Sequence, residues 1–354
     1  MTSQAELQTF LRALPKAELH LHLEGSLAPA RVATLAQKYS VAFAPGEIAA
    51  RYHTRNFPQF LELYKWATSF LREPEDYAAL ASDVSAALHE QGVVYAEITL
   101  SVGIMLLRKQ DVAANFRALR EVFERRAADG QGPHAQFIFD AVRQFGPEPA
   151  MEIARLAVAH RAQGVVAYGL GGDELSLPMS DYREAYRFAA SHGLRLVAHA
   201  GETGGPEQIQ DALEILGAER IGHGIAAIRS SALMNTLAER RIPLEICPTS
   251  NLRTSALDIQ LNSFNAALRE HPLPRLLRRG IPVVLSTDDP TMFHCTLLGE
   301  YAACADMGLT RAELVQLARA GFEHAFLPQA ARKLLLDEFD AAACQPPQRS
   351  AANS

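Results

Sequence analysis

Eight short apolar, β-branched runs recur along the chain, at 17–24, 95–101, 135–142, 165–172, 195–202, 220–225, 243–250 and 281–289. Each ends in glycine or polar residues, and a stretch that reads as helix follows it, so each run predicts a strand. Residues 74–91 illustrate the intervening stretches. Tyr77, Leu80, Val84 and Leu88 fall on one helical face, the first turn is acidic, and Gly92 follows the end. Alternation of this kind implies parallel strands joined by helical crossovers. Eight such units predict a single (β/α)8 TIM barrel, an α/β fold, with an open doubly wound sheet as the alternative. Residues 28–92 are too many for one crossover, so extra helices are expected after the first strand. Within that insertion Phe57, Phe60, Leu61, Tyr64, Trp66 and Phe70 concentrate the aromatics. Ordinary helix packing and a hydrophobic lid are equally open for segment 57–70. The barrel is assigned to 1–345, and the residues from Pro346 onward, 346–354, read as a disordered tail.

Composition narrows the partners more than the fold. The chain has 354 residues, of which 48% are hydrophobic and 21% charged, enough to bury a large core. A formal net charge of −6 argues against a nucleic-acid partner, which would demand a basic face. Neither a leader-like apolar segment nor a bilayer-length apolar run is present, so no membrane association and a cytoplasmic location are expected. Cys247, Cys295, Cys304 and Cys344 show no CxxC spacing and are expected to be reduced.

The chemistry sits at the ends of the predicted strands. Residues two apart in a strand share a face, so His20, His22 and Glu24 should point the same way at the end of the first run. His199 ends the fifth run, His223 the sixth, and Asp288 and Asp289 the eighth. A barrel places its active site at these carboxyl ends, and buried imidazoles and carboxylates need partners or a metal to offset desolvation. Three imidazoles and one carboxylate, His20, His22, His199 and Asp288, form a nitrogen and oxygen set suited to one zinc ion per chain. The fourth run holds neither the lysine nor the glutamate that bridges two metals in some barrel hydrolases, so a mononuclear site is expected. A second zinc-hydroxide pattern, HxE followed by PCxxC, is absent. Zinc lowers the pKa of its water from about 15.7 to about 7 and makes hydroxide available at neutral pH. Glu202, three residues after His199, is the candidate proton donor, and His223 the group that orients the hydroxide.

Read together, PKAELHLHLEGSL (15–27), YGLGGDE (168–174), HAGE (199–202), RIGHG (220–224), CPTSN (247–251) and STDDP (286–290) resemble the adenosine deaminase family of the amidohydrolases. The motifs span essentially the whole chain in family order. The resemblance implies hydrolytic loss of ammonia from C6 of a purine nucleoside, with zinc on His20, His22, His199 and Asp288. It further implies that Glu202 protonates N1, that His223 positions the hydroxide, that Asp289 bonds N7 and that the Gly172 N–H meets N3. Because N7 is only an acceptor, Asp289 must be protonated or act through water.

One residue departs from the nucleoside pattern: Glu24 stands where an aspartate meets the sugar 5′-hydroxyl. Glu24 is therefore expected to govern the sugar end of the substrate. Adenosine or a related adenine nucleoside is the expected substrate. Free adenine is an alternative, as is aminodeoxyfutalosine, an adenine nucleoside with a bulky 5′ substituent, whose deaminases the stretches 199–206 and 244–251 resemble. A cyclic amide or phosphoester is the alternative of another class.

Overall fold

The computed structural model describes residues 4–344. Eight parallel strands follow one another around a barrel in chain order: β1 (Lys16–His22), β2 (Val93–Leu100), β3 (His134–Val142), β4 (Val165–Gly171), β5 (Arg195–Ala200), β6 (Arg220–His223), β7 (Leu244–Ile246) and β8 (Val283–Leu285). Every predicted run overlaps one of them, β1 to β3 beginning one or two residues earlier than their runs, and the closed order rules out the open sheet. The last strands are shorter than their runs because the chain turns into polar loops as soon as it clears the barrel rim. The predicted tail lies outside the described residues.

Barrel closure is slender. Between β1 and β8 a single bridge joins Leu21 to Asp288. His22 N–H donates to Asp288 O at 2.8 Å, and Asp288 N–H donates to His20 O at 2.9 Å. At the opposite end Phe326 packs with Ile138, Ala167 and Val197 and plugs the barrel floor with apolar surface.

Four helices occupy the insertion between β1 and β2: Pro29–Lys38, Glu47–Arg51, Phe57–Thr68 and Pro74–Glu90. The last has the predicted face, with Tyr77, Leu80, Val84 and Leu88 all buried. Asp76 caps its first turn by accepting the Glu73 N–H at 3.0 Å. Among the described residues no helix is long and apolar enough to cross a membrane, and the four cysteines are free.

Candidate active site

His20 and His22 sit on β1, His199 on β5, and His223 closes β6, while Asp288 lies three residues beyond β8. His223 and Asp288 hold left-handed backbone conformations, φ +60° and +65°. Side chains other than glycine adopt these at a cost, and such strain collects at functional sites. Here it turns both side chains back over the barrel mouth.

One donor atom from each of His20, His22, His199 and Asp288 lies within 4.8 Å of the other three. His22 Nε2 is 3.2 Å from His199 Nε2, and the Nε2 atoms of His20 and His22 are each 3.4 Å from Asp288 Oδ1. Ligands about 2.0–2.1 Å from a tetrahedral zinc stand roughly 3.3–3.4 Å apart, so these separations match the edges of such a site. Buried His20 Nε2 has no hydrogen-bond partner. The residues fit a zinc ion.

Neighbouring groups fix the rings for that purpose. His20 Nδ1 bonds Glu245 at 2.7 Å and His199 Nδ1 bonds Leu170 O at 3.1 Å, which leaves both Nε2 atoms free. Burial depresses the pKa of His22 to about 4 and holds His199 well below its usual range, so both rings are neutral donors. Burial also opposes charge on His20, but Asp288 and Glu245 outweigh it and draw positive charge to that ring. Ser250 Oγ donates to Asp288 Oδ2 at 2.6 Å. His223 is pushed down to about 3 by burial; its Nδ1 meets Asn251 Nδ2 at 3.1 Å.

Glu202 and Asp289 face the same cavity, about 290 Å³ in volume, together with Gly172 and His223. Burial, aided by the charges of Asp288 and Glu174, raises the Glu202 pKa to about 8. Burial and the adjacent Asp288 carboxylate raise Asp289 well above the carboxylate range, the protonated state that a bond to N7 requires. A β-carbon on Gly25 would fall 1.6 Å from Asp289 Oδ1, so the missing side chain makes the seat for that carboxyl. Gly25→Ala is expected to expel Asp289 and lower kcat/KM about tenfold or more while the metal content holds, as loss of one bond to a buried polar group implies. Unchanged kinetics in that variant would remove Asp289 from the substrate contacts.

Glu24 does not stand where strand alternation puts it. β1 ends at His22 and Glu24 opens a 3-10 turn, so the period of two is broken. Its carboxylate, 2% exposed, accepts the Ser101 N–H at 3.2 and 3.3 Å and lies 3.5 Å from Tyr64 Oη. Ser101 and Tyr64 line the cavity, and Glu24 is not among the lining residues. The aromatic segment divides between its two readings. Phe57, Phe60, Leu61 and Tyr64 form the outer cavity wall, whereas Trp66 and Phe70 pack against Phe43 at ring distances of 5.7 and 6.0 Å.

Five further residues, Glu174, Asp140, Arg220, Glu245 and Glu97, shape the site without a role assigned from sequence. Glu174 accepts the N–H groups of Glu202 and Thr203 at 3.3 and 2.9 Å and that of Gly204 at 2.5 Å, and so ties down the loop that carries Glu202. Buried Asp140 lines the cavity, its oxygens occupying space that β-carbons at Gly169 and Gly171 would fill. Arg220 is 1% exposed and clamps Glu245 at 2.5 Å and Glu97 at 2.6 Å, which extends the support of His20 to the barrel floor. A charged residue within each of four strands, Glu97, Asp140, Arg220 and Glu245, was the available signal.

A family model described as adenosine deaminase matches residues 15–342. The aminodeoxyfutalosine deaminase of Streptomyces coelicolor is 38% identical over 342 residues, 95% of this chain and 86% of that protein. The adenine deaminase of Hahella chejuensis is 32% identical, covering 94% of this chain and 98% of its own. Among solved structures, an adenine deaminase from Arthrobacter aurescens superposes with a TM-score of 0.85 at 28% identity, covering 93% of this chain and 98% of that one. An amidohydrolase from Burkholderia ambifaria with bound zinc gives 0.83 at 26% identity, over 97% and 95% of the two chains.

Proposed function

The chain belongs to the adenosine deaminase family of metal-dependent amidohydrolases and is a hydrolytic deaminase; from that premise we propose that it removes the 6-amino group of an adenine nucleoside with a bulky 5′ substituent, the aminodeoxyfutalosine type. One observation carries the choice of substrate. Glu24, on which recognition of a free 5′-hydroxyl rested, is taken up by the Ser101 N–H, and the outer cavity wall is largely apolar. A bulky group buries apolar surface there, while a hydroxyl has no carboxylate to meet. The 38% identity with the Streptomyces coelicolor enzyme supports the same reading.

The metal proposed is zinc, one per chain, on His20, His22, His199 and Asp288, a donor set with the softness and spacing for it. When bound, zinc supplies a water of pKa about 7. The remaining roles belong to side chains and backbone. Protonated Glu202 gives its proton to N1, which withdraws electrons from C6 and opens it to addition. Neutral His223 orients the attacking water through Nε2, which lies 3.6 Å from Glu202 Oε2. Protonated Asp289 donates to N7 and the Gly172 N–H to N3, and together they fix the ring plane. The water oxygen bonds to C6 and one of its protons passes by way of the Glu202 carboxylate to the amino group; the C6–N bond then breaks, ammonia leaves, and the second proton of the water restores Glu202. The 6-oxo purine remains.

Side-by-side kcat/KM values for a 5′-substituted adenine nucleoside, adenosine and adenine test the substrate. The bulky nucleoside is expected to exceed adenosine about tenfold or more, a difference the burial of a few methylene groups supplies. A preference for adenosine would return the sugar-reading role to Glu24. Fastest turnover of free adenine would place the chain with its Hahella chejuensis relative.

A further inference from the structure

A second cavity, about 390 Å³, opens at the amino-terminal end of the barrel, the face opposite the deaminase centre. Arg195 at the start of β5, Arg220 at the start of β6, and Ile242 and Pro243 just before β7 line it, with His324 and Phe326 beneath. Arg195, Arg220, Arg240, Arg241 and Arg332 all reach this one cavity. Three of them are compensated: Arg195 by Glu219 at 2.8 Å, Arg240 by Glu214 at 2.5 Å, and Arg220 by Glu97 and Glu245. Glu323, also on the lining, pairs outward with Arg319. Arg241 and Arg332 have no hydrogen-bond or ion-pair partner for their guanidinium groups among the described residues. His324 lines the same cavity, and its buried Nε2 also lacks a hydrogen-bond partner.

Backbone conformation singles out Arg241. Seven returns lead from a helix into β2 through β8, and six of them turn on a left-handed glycine: Gly92, Gly130, Gly164, Gly193, Gly217 and Gly280. The return into β7 turns on Arg241, at φ +52°. Arg241 N–H donates to Ala238 O at 3.2 Å and Ile242 N–H to Leu237 O at 2.9 Å, so Arg241 fills the helix-ending position where glycine is favoured. A β-carbon there is a cost to the fold. That cost brings a free guanidinium to the cavity rim.

We propose that this cavity is an anion site for a phosphate group, bound by Arg241 and Arg332 with His324 Nε2 at its floor. Guanidinium groups match phosphate oxygens with paired N–H donors, and two unpaired arginines offset a dianion. The low pKa of His324, about 4, has burial as its main cause and the nearby arginine charges as its second, as expected for a pocket whose positive potential is not yet neutralised. Inorganic phosphate and a sugar phosphate present the same group.

The test is calorimetric titration of the zinc-loaded protein with inorganic phosphate and, separately, with ribose 5-phosphate, in chloride buffer at fixed ionic strength. Wild type is expected to bind one anion per chain. Arg241→Gly and Arg332→Ala should each weaken binding about tenfold or more, the loss expected for one charge-assisted contact. Arg241→Gly installs the residue this turn favours, so it should unfold at a temperature no lower than wild type and deaminate at the wild-type rate. Tighter binding of ribose 5-phosphate would support the site and assign it to a phosphate ester; tighter binding of inorganic phosphate would support it and assign the free ion. Absence of saturable binding in wild type, or equal binding in Arg241→Gly and Arg332→Ala, would overturn it.

Discussion

Replacing Glu202 with glutamine is expected to leave the metal content unchanged and to lower kcat by about 10²–10⁴-fold, the range typical of a general acid. Glu202 is 5% exposed, and its Oε1 accepts the Thr254 hydroxyl at 2.9 Å. Glutamine preserves that acceptor and nearly the same shape, so the loop held by Glu174 should stay in place. What disappears is a carboxyl proton for N1 and, once that is given, a carboxylate that relays the water's proton to the leaving ammonia. Metal analysis and kcat on one preparation decide the matter. Zinc lost along with activity would make Glu202 a ligand, and an undiminished kcat would remove it from proton transfer.

His199→Ala is expected to act one step earlier, by emptying the metal centre. The imidazole is held by Leu170 O and contributes one corner of the four-donor cluster. Without it, His20, His22 and Asp288 leave a wide opening. The expected result is a metal content well below one per chain, with kcat/KM down by at least about 10³-fold, since metal assistance amounts to several kcal/mol. Wild-type metal content together with a wild-type rate would sink the assignment. The two variants separate the roles: one keeps the ion and loses the proton, the other loses the ion.

Much of this was legible in sequence because both the core and the chemistry follow strand periodicity. The eight runs are apolar where they line the barrel and turn polar at its rim, so the strand ends point to the same residues as the motifs do. Legibility failed where periodicity stops. Glu24 was placed by continuing a two-residue alternation past His22, yet the strand ends there and a 3-10 turn carries the side chain to Ser101. Glu174 stood in plain view in a recognised motif, but its work is on N–H groups about thirty residues away, a contact that only tertiary structure creates. Asp140 left its trace in other residues, as two glycines on the neighbouring strand. The arginine-lined cavity on the far face left no local pattern, because five separate segments supply its charges.

The seam between β1 and β8 sets an order of events during synthesis. β1 is made first, yet its second neighbour, the segment around Asp288, emerges near the end of the chain. At roughly 5–20 residues per second, translation of the intervening chain takes on the order of tens of seconds. Throughout that interval one edge of β1 is open, with the unpaired backbone groups that invite association between nascent chains. His20 and His22 are present from the outset, but Asp288 joins them only when the circle closes. No product of translation that stops short of Asp288 holds the complete donor set, so an ion held by all four would close over a finished barrel.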